Sequence, residues 1–291
     1  MRATTKRITR PGGEQPDESG DGPPGTVGRR RALGVLLGAA GAVTLAACGS
    51  GSSRTASATS SSTSTTTSTT PGSDASTTAT DCVEIPEETA GPYPGDGSNG
   101  PDALTTDGVV RSDIRSSFGG ATGTADGVPL TIELQVVDTS ASCAPKAGLA
   151  VYAWHCDREG RYSLYSSGVT DENYLRGVQV TGADGKVRFT SIYPACYSGR
   201  WPHVHFEVYS SVADATGGGT PIATSQLAFP KDVCDTVFAS SGYEQSVRNF
   251  SGMSLTSDNV FGDDGAAHQV ATLGGDVTNG YTAVLLVGID A

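Results

Sequence analysis

Leu130-Thr131-Ile132-Glu133-Leu134-Gln135-Val136 alternates apolar and polar side chains over seven residues. Successive side chains of an extended strand point to opposite faces, so this is the pattern of a strand with one face buried and one turned to water. Similar segments occur at 148–155, 187–192, 203–209, 222–229 and 281–288. Between Val178-Gln179-Val180 and Val187-Arg188-Phe189 lies Gly182-Ala183-Asp184-Gly185, whose Asp-Gly pair accepts the positive φ angles of a tight turn and predicts a hairpin. No long helical period interrupts these strands, and the stretch from 239 to 275, rich in Ser, Asp and Gly, reads as long surface loops. Many short strands joined by Gly-rich turns predict an all-β fold, an antiparallel β-sandwich with long irregular loops.

Upstream of these strands the composition changes twice. Arg29-Arg30-Arg31 precedes an apolar run from Ala32 to Ala47, shorter than a typical membrane span and ending in small residues, so residues 1–47 read as an export signal. Leu45-Ala46-Ala47-Cys48 resembles a bacterial lipobox, and the adjacent arginines resemble a twin-arginine signal. Both resemblances imply an exported chain, secreted or held at the cell surface, whose only membrane contact is a lipid on Cys48. Residues 48–81 are mostly Ser, Thr, Gly and Ala, with little to bury, and read as a flexible tether. The folded domain is expected over residues 82–291, long enough for one β core.

The chain carries 19 basic and 31 acidic residues; without residues 1–47, 12 and 27 remain, a net charge of −15. So acidic a chain is a poor partner for nucleic acid, and its charge keeps an exported protein soluble. Beyond Cys48 stand Cys82, Cys143, Cys156, Cys196 and Cys234, none in a Cys-x-x-Cys pair, which argues against a zinc ribbon or finger. An oxidising compartment favours disulfides. Sequence alone leaves the connectivity open; the pairing expected here joins Cys82 to Cys143 and Cys196 to Cys234, with Cys156 free in a strand.

The chemistry concentrates in Cys196-Tyr197-Ser198-Gly199-Arg200-Trp201-Pro202-His203-Val204-His205-Phe206, which holds two of only four histidines. On a strand His203 and His205 share a face while Val204 and Phe206 occupy the other. One strand thus offers two imidazoles together, a candidate metal site. Tyr162 closes Asp157-Arg158-Glu159-Gly160-Arg161-Tyr162, and Tyr197 and Arg200 stand just ahead of the histidine pair.

Gly-Arg-Tyr, then Tyr, then Arg-x-x-His-x-His in this order resembles the intradiol ring-cleavage dioxygenases, the catechol and protocatechuate dioxygenases. Glu88-Thr89-Ala90-Gly91-Pro92-Tyr93-Pro94 is similar to a segment of the protocatechuate enzymes. The resemblance implies non-haem Fe(III) held by Tyr162, Tyr197, His203 and His205, with a small aromatic diol and dioxygen as substrates and a cis,cis-muconate-type diacid as product. It implies further that Tyr197 is the ligand displaced by the diol, that Arg200 stabilises a carbanionic ring, that Gln226 supports the site, and that Thr89, Pro92 and Tyr93 wall the substrate pocket. The chemistry is coherent: a phenol ordinarily ionises near pH ~10, and a hard trivalent cation drives that proton off.

Two rival readings stand beside this one. A lipid-anchored β-sandwich on a tether is also the plan of an extracellular binding module, with the histidine pair incidental or holding zinc. A cupin-like oxygenase would need a third ligand, usually Glu, a few residues past the pair, and Glu207 follows His205 at the wrong spacing.

Overall fold

In the computed structural model, which describes residues 82–290, the alternating segment forms strand β1 (Pro129–Asp138). The export signal, Cys48 and the tether lie outside the described residues. After β1 come β2 (Ala144–Pro145), β3 (Ala150–Trp154), β4 (Arg176–Val180), β5 (Lys186–Ile192) and β6 (His203–Tyr209). Helix α1 (Val212–Thr216), β7 (Ala223–Ala228), α2 (Lys231–Phe238), α3 (Glu244–Phe250), β8 (Thr272–Asp276) and β9 (Gly280–Ile289) complete the order.

One sheet runs β2-β1-β9-β8 with β5 also paired to β1; the other runs β4-β3-β6-β7. Leu130, Ile132, Leu134 and Val136 of β1 meet Val151 and Ala153 of β3, Val204, Phe206 and Val208 of β6, and Ala283, Leu285 and Val287 of β9 in one core cluster. This is the two-residue period of strands realised in three dimensions, each large apolar side chain contributing about 1.5–3 kcal/mol on burial. The predicted sandwich is therefore present, and each of the six predicted strand segments overlaps an observed strand.

Several local expectations are corrected. β9 runs parallel to β1, with Leu130 opposite Tyr281 and Asp138 opposite Ile289, so the sandwich is not purely antiparallel. The Gly182–Gly185 turn does not close a hairpin. It is tight, with the Gly182 amide donating to the Lys186 carbonyl at 3.0 Å, but β4 leaves it to pair with β3 and β5 to pair with β1. The turn links the two sheets. The stretch 239–275 is not all loop: it contains α3, a 3-10 turn at Leu255–Ser257 and most of β8, and Phe250 and Phe261 from it are buried.

Cys82 and Cys143 are joined, as expected. Cys196 and Cys234 are not; both are free and buried, as is Cys156. The Cys234 Sγ lies 3.1 Å from the Tyr193 hydroxyl, and the Cys196 Sγ 3.4 Å from the Arg200 carbonyl oxygen. Each sulfur has a separate polar partner, and burial pushes the Cys196 thiol up to about 12.

Candidate active site

The alternation of β6 that sends Val204, Phe206 and Val208 into the sandwich turns His203, His205 and Glu207 to the outer face of the second sheet. That face is not open to water. Leu104, Val109 and Phe118, from the segment ahead of β1, pack with Tyr152, Trp154 and Tyr162 over it. Trp154 of β3, His205 of β6 and Gln226 of β7 are register partners, so they form one row across three strands.

Tyr162 is delivered by a turn that its own sequence builds. Asp157 Oδ1 accepts the amides of Glu159 and Arg161, each at 2.9 Å, while Oδ2 accepts the Arg161 Nε at 2.9 Å and the Tyr174 hydroxyl at 3.1 Å. An aspartate holding the amide two residues on is a standard way to start a turn. Gly160 then takes a φ of +84°, and a Cβ there would stand 3.0 Å from the Cβ of Tyr197. Glycine is thus required both by the backbone angle and by the approach of the second tyrosine.

Tyr197 and Arg200 bracket a tight turn, the Arg200 amide donating to the Tyr197 carbonyl at 3.2 Å with Gly199 at a φ of +82°. The four side chains then converge. The hydroxyls of Tyr162 and Tyr197 each lie 3.3 Å from His203 Nε2, and His205 Nε2 lies 3.1 Å from the same atom. His203 Nδ1 is 2.5 Å from the Trp201 carbonyl, which cannot donate, so Nδ1 carries the proton and the Nε2 lone pair faces the cluster. Tyr162, His203 and His205 are buried and Tyr197 is half-buried.

Burial governs the electrostatics. It lowers the His203 imidazole to about 3, assisted by the Arg200 cation, and lowers His205 well below its usual range. It raises the Tyr197 phenol to about 12 and, together with the neighbouring Tyr197, raises Tyr162 well above the usual range. The cluster by itself therefore holds two neutral imidazoles and two protonated phenols, donors whose ionisation awaits a cation. Among the described residues no group of three or more His, Cys, Asp and Glu gathers, so a metal here would need the phenols.

Around the cluster, Arg200 Nη1 is 3.5 Å from His203 Nε2, and Arg200 Nη2 donates to Gln226 Oε1 at 2.6 Å. Gln226 Nε2 in turn donates to the Thr89 carbonyl at 2.9 Å. The Tyr93 ring packs 4.8 Å from that of Tyr162, while Thr89 and Pro92 are exposed beside it. Tyr162, Tyr197, Arg200, His203, His205, Gln226, Thr89 and Tyr93 thus come to one place, with Pro92 exposed next to Tyr93 in the chain. Neither tryptophan lies open to a bound ring: Trp201 is buried, donating Nε1–H to the Phe229 carbonyl at 2.8 Å, and Trp154 is stacked on His205. His155 is held apart from the cluster by Ser191 and the Cys156 carbonyl.

Three further residues shape the site, two of them, Asp258 and Arg176, unread in the sequence. Asp258 pairs with Arg200 at 3.0 Å. Trp154 backs His205. Arg176 is buried and donates to the carbonyls of Pro94 and Ser163 and to the hydroxyls of Tyr152 and Ser163, tying the Tyr93 segment to the turn that carries Tyr162. Only for Trp154 was there a signal, its place on the predicted strand 148–155.

Residues 112–248 match the family model described as Dioxygenase. Catechol 1,2-dioxygenase 1 of Acinetobacter lwoffii is 32% identical over 130 residues, 38% of this chain and 39% of that protein. Chlorocatechol 1,2-dioxygenase of Rhodococcus opacus is 39% identical over 62 residues, 21% of this chain and 23% of that one. The matches thus span well under half the length of either relative. The solved intradiol ring-cleavage dioxygenase of Tetranychus urticae shares the fold, with a TM-score of 0.58 at 24% identity over 72% of this chain and 95% of that one.

Proposed function

We propose that the chain, whose residues 112–248 match the Dioxygenase family model, is an intradiol ring-cleavage dioxygenase that binds a catechol-type aromatic diol at the Tyr162, Tyr197, His203 and His205 cluster and cleaves its ring with dioxygen. The product is a cis,cis-muconate-type diacid. The observation that carries this is the convergence of two phenol oxygens and the Nε2 atom of His205, all within 3.3 Å of His203 Nε2. Such a set of hard anionic oxygens and neutral imidazoles fits ferric iron, and the inward lone pair of His203 supports the fit. The metal-binding atoms would be the two tyrosine hydroxyl oxygens and the two Nε2 atoms. Bound there, Fe(III) would act as a Lewis acid that ionises the phenols and draws electron density from the diol ring.

The protein's own groups divide the remaining tasks. Tyr197, half-buried and followed by the exposed Ser198 and Gly199, is the tyrosine that would swing aside, and its Oη, ionised when the cation is bound, would take up a proton from the entering diol. Tyr162, fully buried and held by its turn, stays in place. Arg200 presents Nη1 where negative charge gathers on the ring, and a guanidinium fixed in advance needs no reorganisation to meet it. Gln226 keeps that guanidinium in register with the Thr89 segment, and Thr89, Pro92 and Tyr93 form the wall against which the ring is oriented. The family match gives no support to the binding-module alternative. We propose in addition that residues 1–47 direct export and that Cys48 is lipidated, which mass spectrometry of a membrane fraction would test.

The test is the visible spectrum of residues 82–291 loaded with Fe(III), before and after anaerobic catechol. A red-brown tyrosinate-to-iron band is expected, shifted by catechol and weakened in Tyr162→Phe and Tyr197→Phe. A protein that stays colourless after reconstitution would overturn the proposal.

A further inference from the structure

Asp258 lies ten residues beyond the family match, in a segment whose sequence carries no signal of a site. Its carboxylate is fully buried and serves four donors. Oδ2 accepts Arg200 Nε at 3.0 Å and the Trp201 amide at 2.6 Å, while Oδ1 accepts the amides of Val260 at 2.8 Å and Phe261 at 3.0 Å. One oxygen therefore grips both the side chain of Arg200 and the backbone immediately after it.

The consequence appears at the guanidinium. Nε is taken by Asp258 and Nη2 by Gln226, and the ring of Phe261 lies 5.8 Å from the guanidinium carbon. That leaves Nη1 as the edge turned to the cluster, 3.5 Å from His203 Nε2. A planar guanidinium held at two of its three nitrogens cannot rotate, so the direction of its remaining donors is fixed. Without the carboxylate only the Gln226 contact would remain, and the plane could pivot about it.

We propose that Asp258 is a positioning residue for ring cleavage, fixing which edge of Arg200 faces the diol; this rests on the dioxygenase reading above. A purely structural role, capping the turn at 258–261, would use Oδ1 alone and would not need the charge. Asp258→Asn keeps an oxygen for the Val260 and Phe261 amides while removing the anion, and Asp258→Glu keeps the anion but displaces it.

The experiment has two readouts. In the metal-free protein, the Arg200 Nε–H resonance, assigned by its disappearance in Arg200→Lys, should be protected from solvent exchange in the parent and unprotected in Asp258→Asn. In the iron-loaded protein both Asp258 variants should lower kcat about 10²-fold, the scale of an ångström-sized misplacement. KM should stay within a few-fold and the charge-transfer band should be unchanged. In an Arg200→Lys background, Asp258→Asn should produce no further fall, because the two groups act as one unit. An equal fall in that background, or a kcat within twofold of the parent, would overturn the inference while leaving the dioxygenase reading intact. A parent that consumes no dioxygen with any diol would instead overturn that reading, and the inference with it.

Discussion

Trp154 lies flat against His205, their ring centroids 4.9 Å apart and their planes 5° from parallel. The contact follows from register, since the two residues face each other across β3 and β6. Tyr152 stacks on the far side of Trp154 at 4.8 Å, so His205 is backed by two aromatic layers. His205 Nδ1 is buried and has no hydrogen-bond partner, so no polar anchor orients the ring from behind. The stack does so instead.

Replacing Trp154 by Leu should therefore weaken Fe(III) binding by about 10- to 100-fold, the usual effect of losing a group that orients a metal ligand. Trp154→Phe, which keeps a flat face, should lose less. Competition titration against a chelator checks both, and a Leu variant that binds iron as tightly as the parent would refute the role.

A second expectation concerns acid. His155 is buried, with Nδ1 against the Cys156 carbonyl at 2.8 Å and Nε2 against the Ser191 hydroxyl at 2.6 Å, and burial lowers it from 6.5 to about 4. The unfolded chain takes up the proton first, so the stability this neutral histidine contributes is complete above pH 6.5 and lost as pH falls toward 4. The loss amounts to about 3 kcal/mol. Urea unfolding across that window should show the decline, and His155→Gln should flatten it. An unchanged slope in the variant would assign the decline to other groups.

The thiols give a third. Unfolded without reductant, residues 82–291 should expose three reactive thiols, those of Cys156, Cys196 and Cys234, and the folded protein should expose none quickly. Finding one rather than three would restore the Cys196 to Cys234 bridge. Reducing the Cys82 to Cys143 bond, which spans 61 residues, should lower stability by about 4 kcal/mol on the loop-entropy model.

What the sequence disclosed was whatever local spacing determines. The alternation in β1 and β6 set which side chains enter the sandwich core, and it placed His203 and His205 on one face before any contact was known. The Gly182–Gly185 turn was legible as a turn but not in its consequence, because whether its strands pair with each other or with two different sheets depends on partners far along the chain. Asp258 was illegible for the same reason: its tie to Arg200 crosses 58 residues and leaves no local mark. The Cys196 to Cys234 pairing failed, although Cys82 to Cys143 held, because oxidising conditions permit bridges without selecting partners, and at Cys234 the neighbour is the hydroxyl of Tyr193.

β9 lies between β1 and β8, in the interior of its sheet, and Leu130 waits for Tyr281 as its parallel neighbour. During translation, then, β1 leaves the ribosome some 150 residues before the strand that completes it, with one edge of its backbone unpaired and Ile132 and Leu134 half covered. Closing so long a loop is slow, and the open edge is a template for neighbouring nascent chains in the meantime. Yield of folded protein should for that reason be governed less by the Tyr162, Tyr197, His203 and His205 cluster than by how quickly residues 280–289 find their slot.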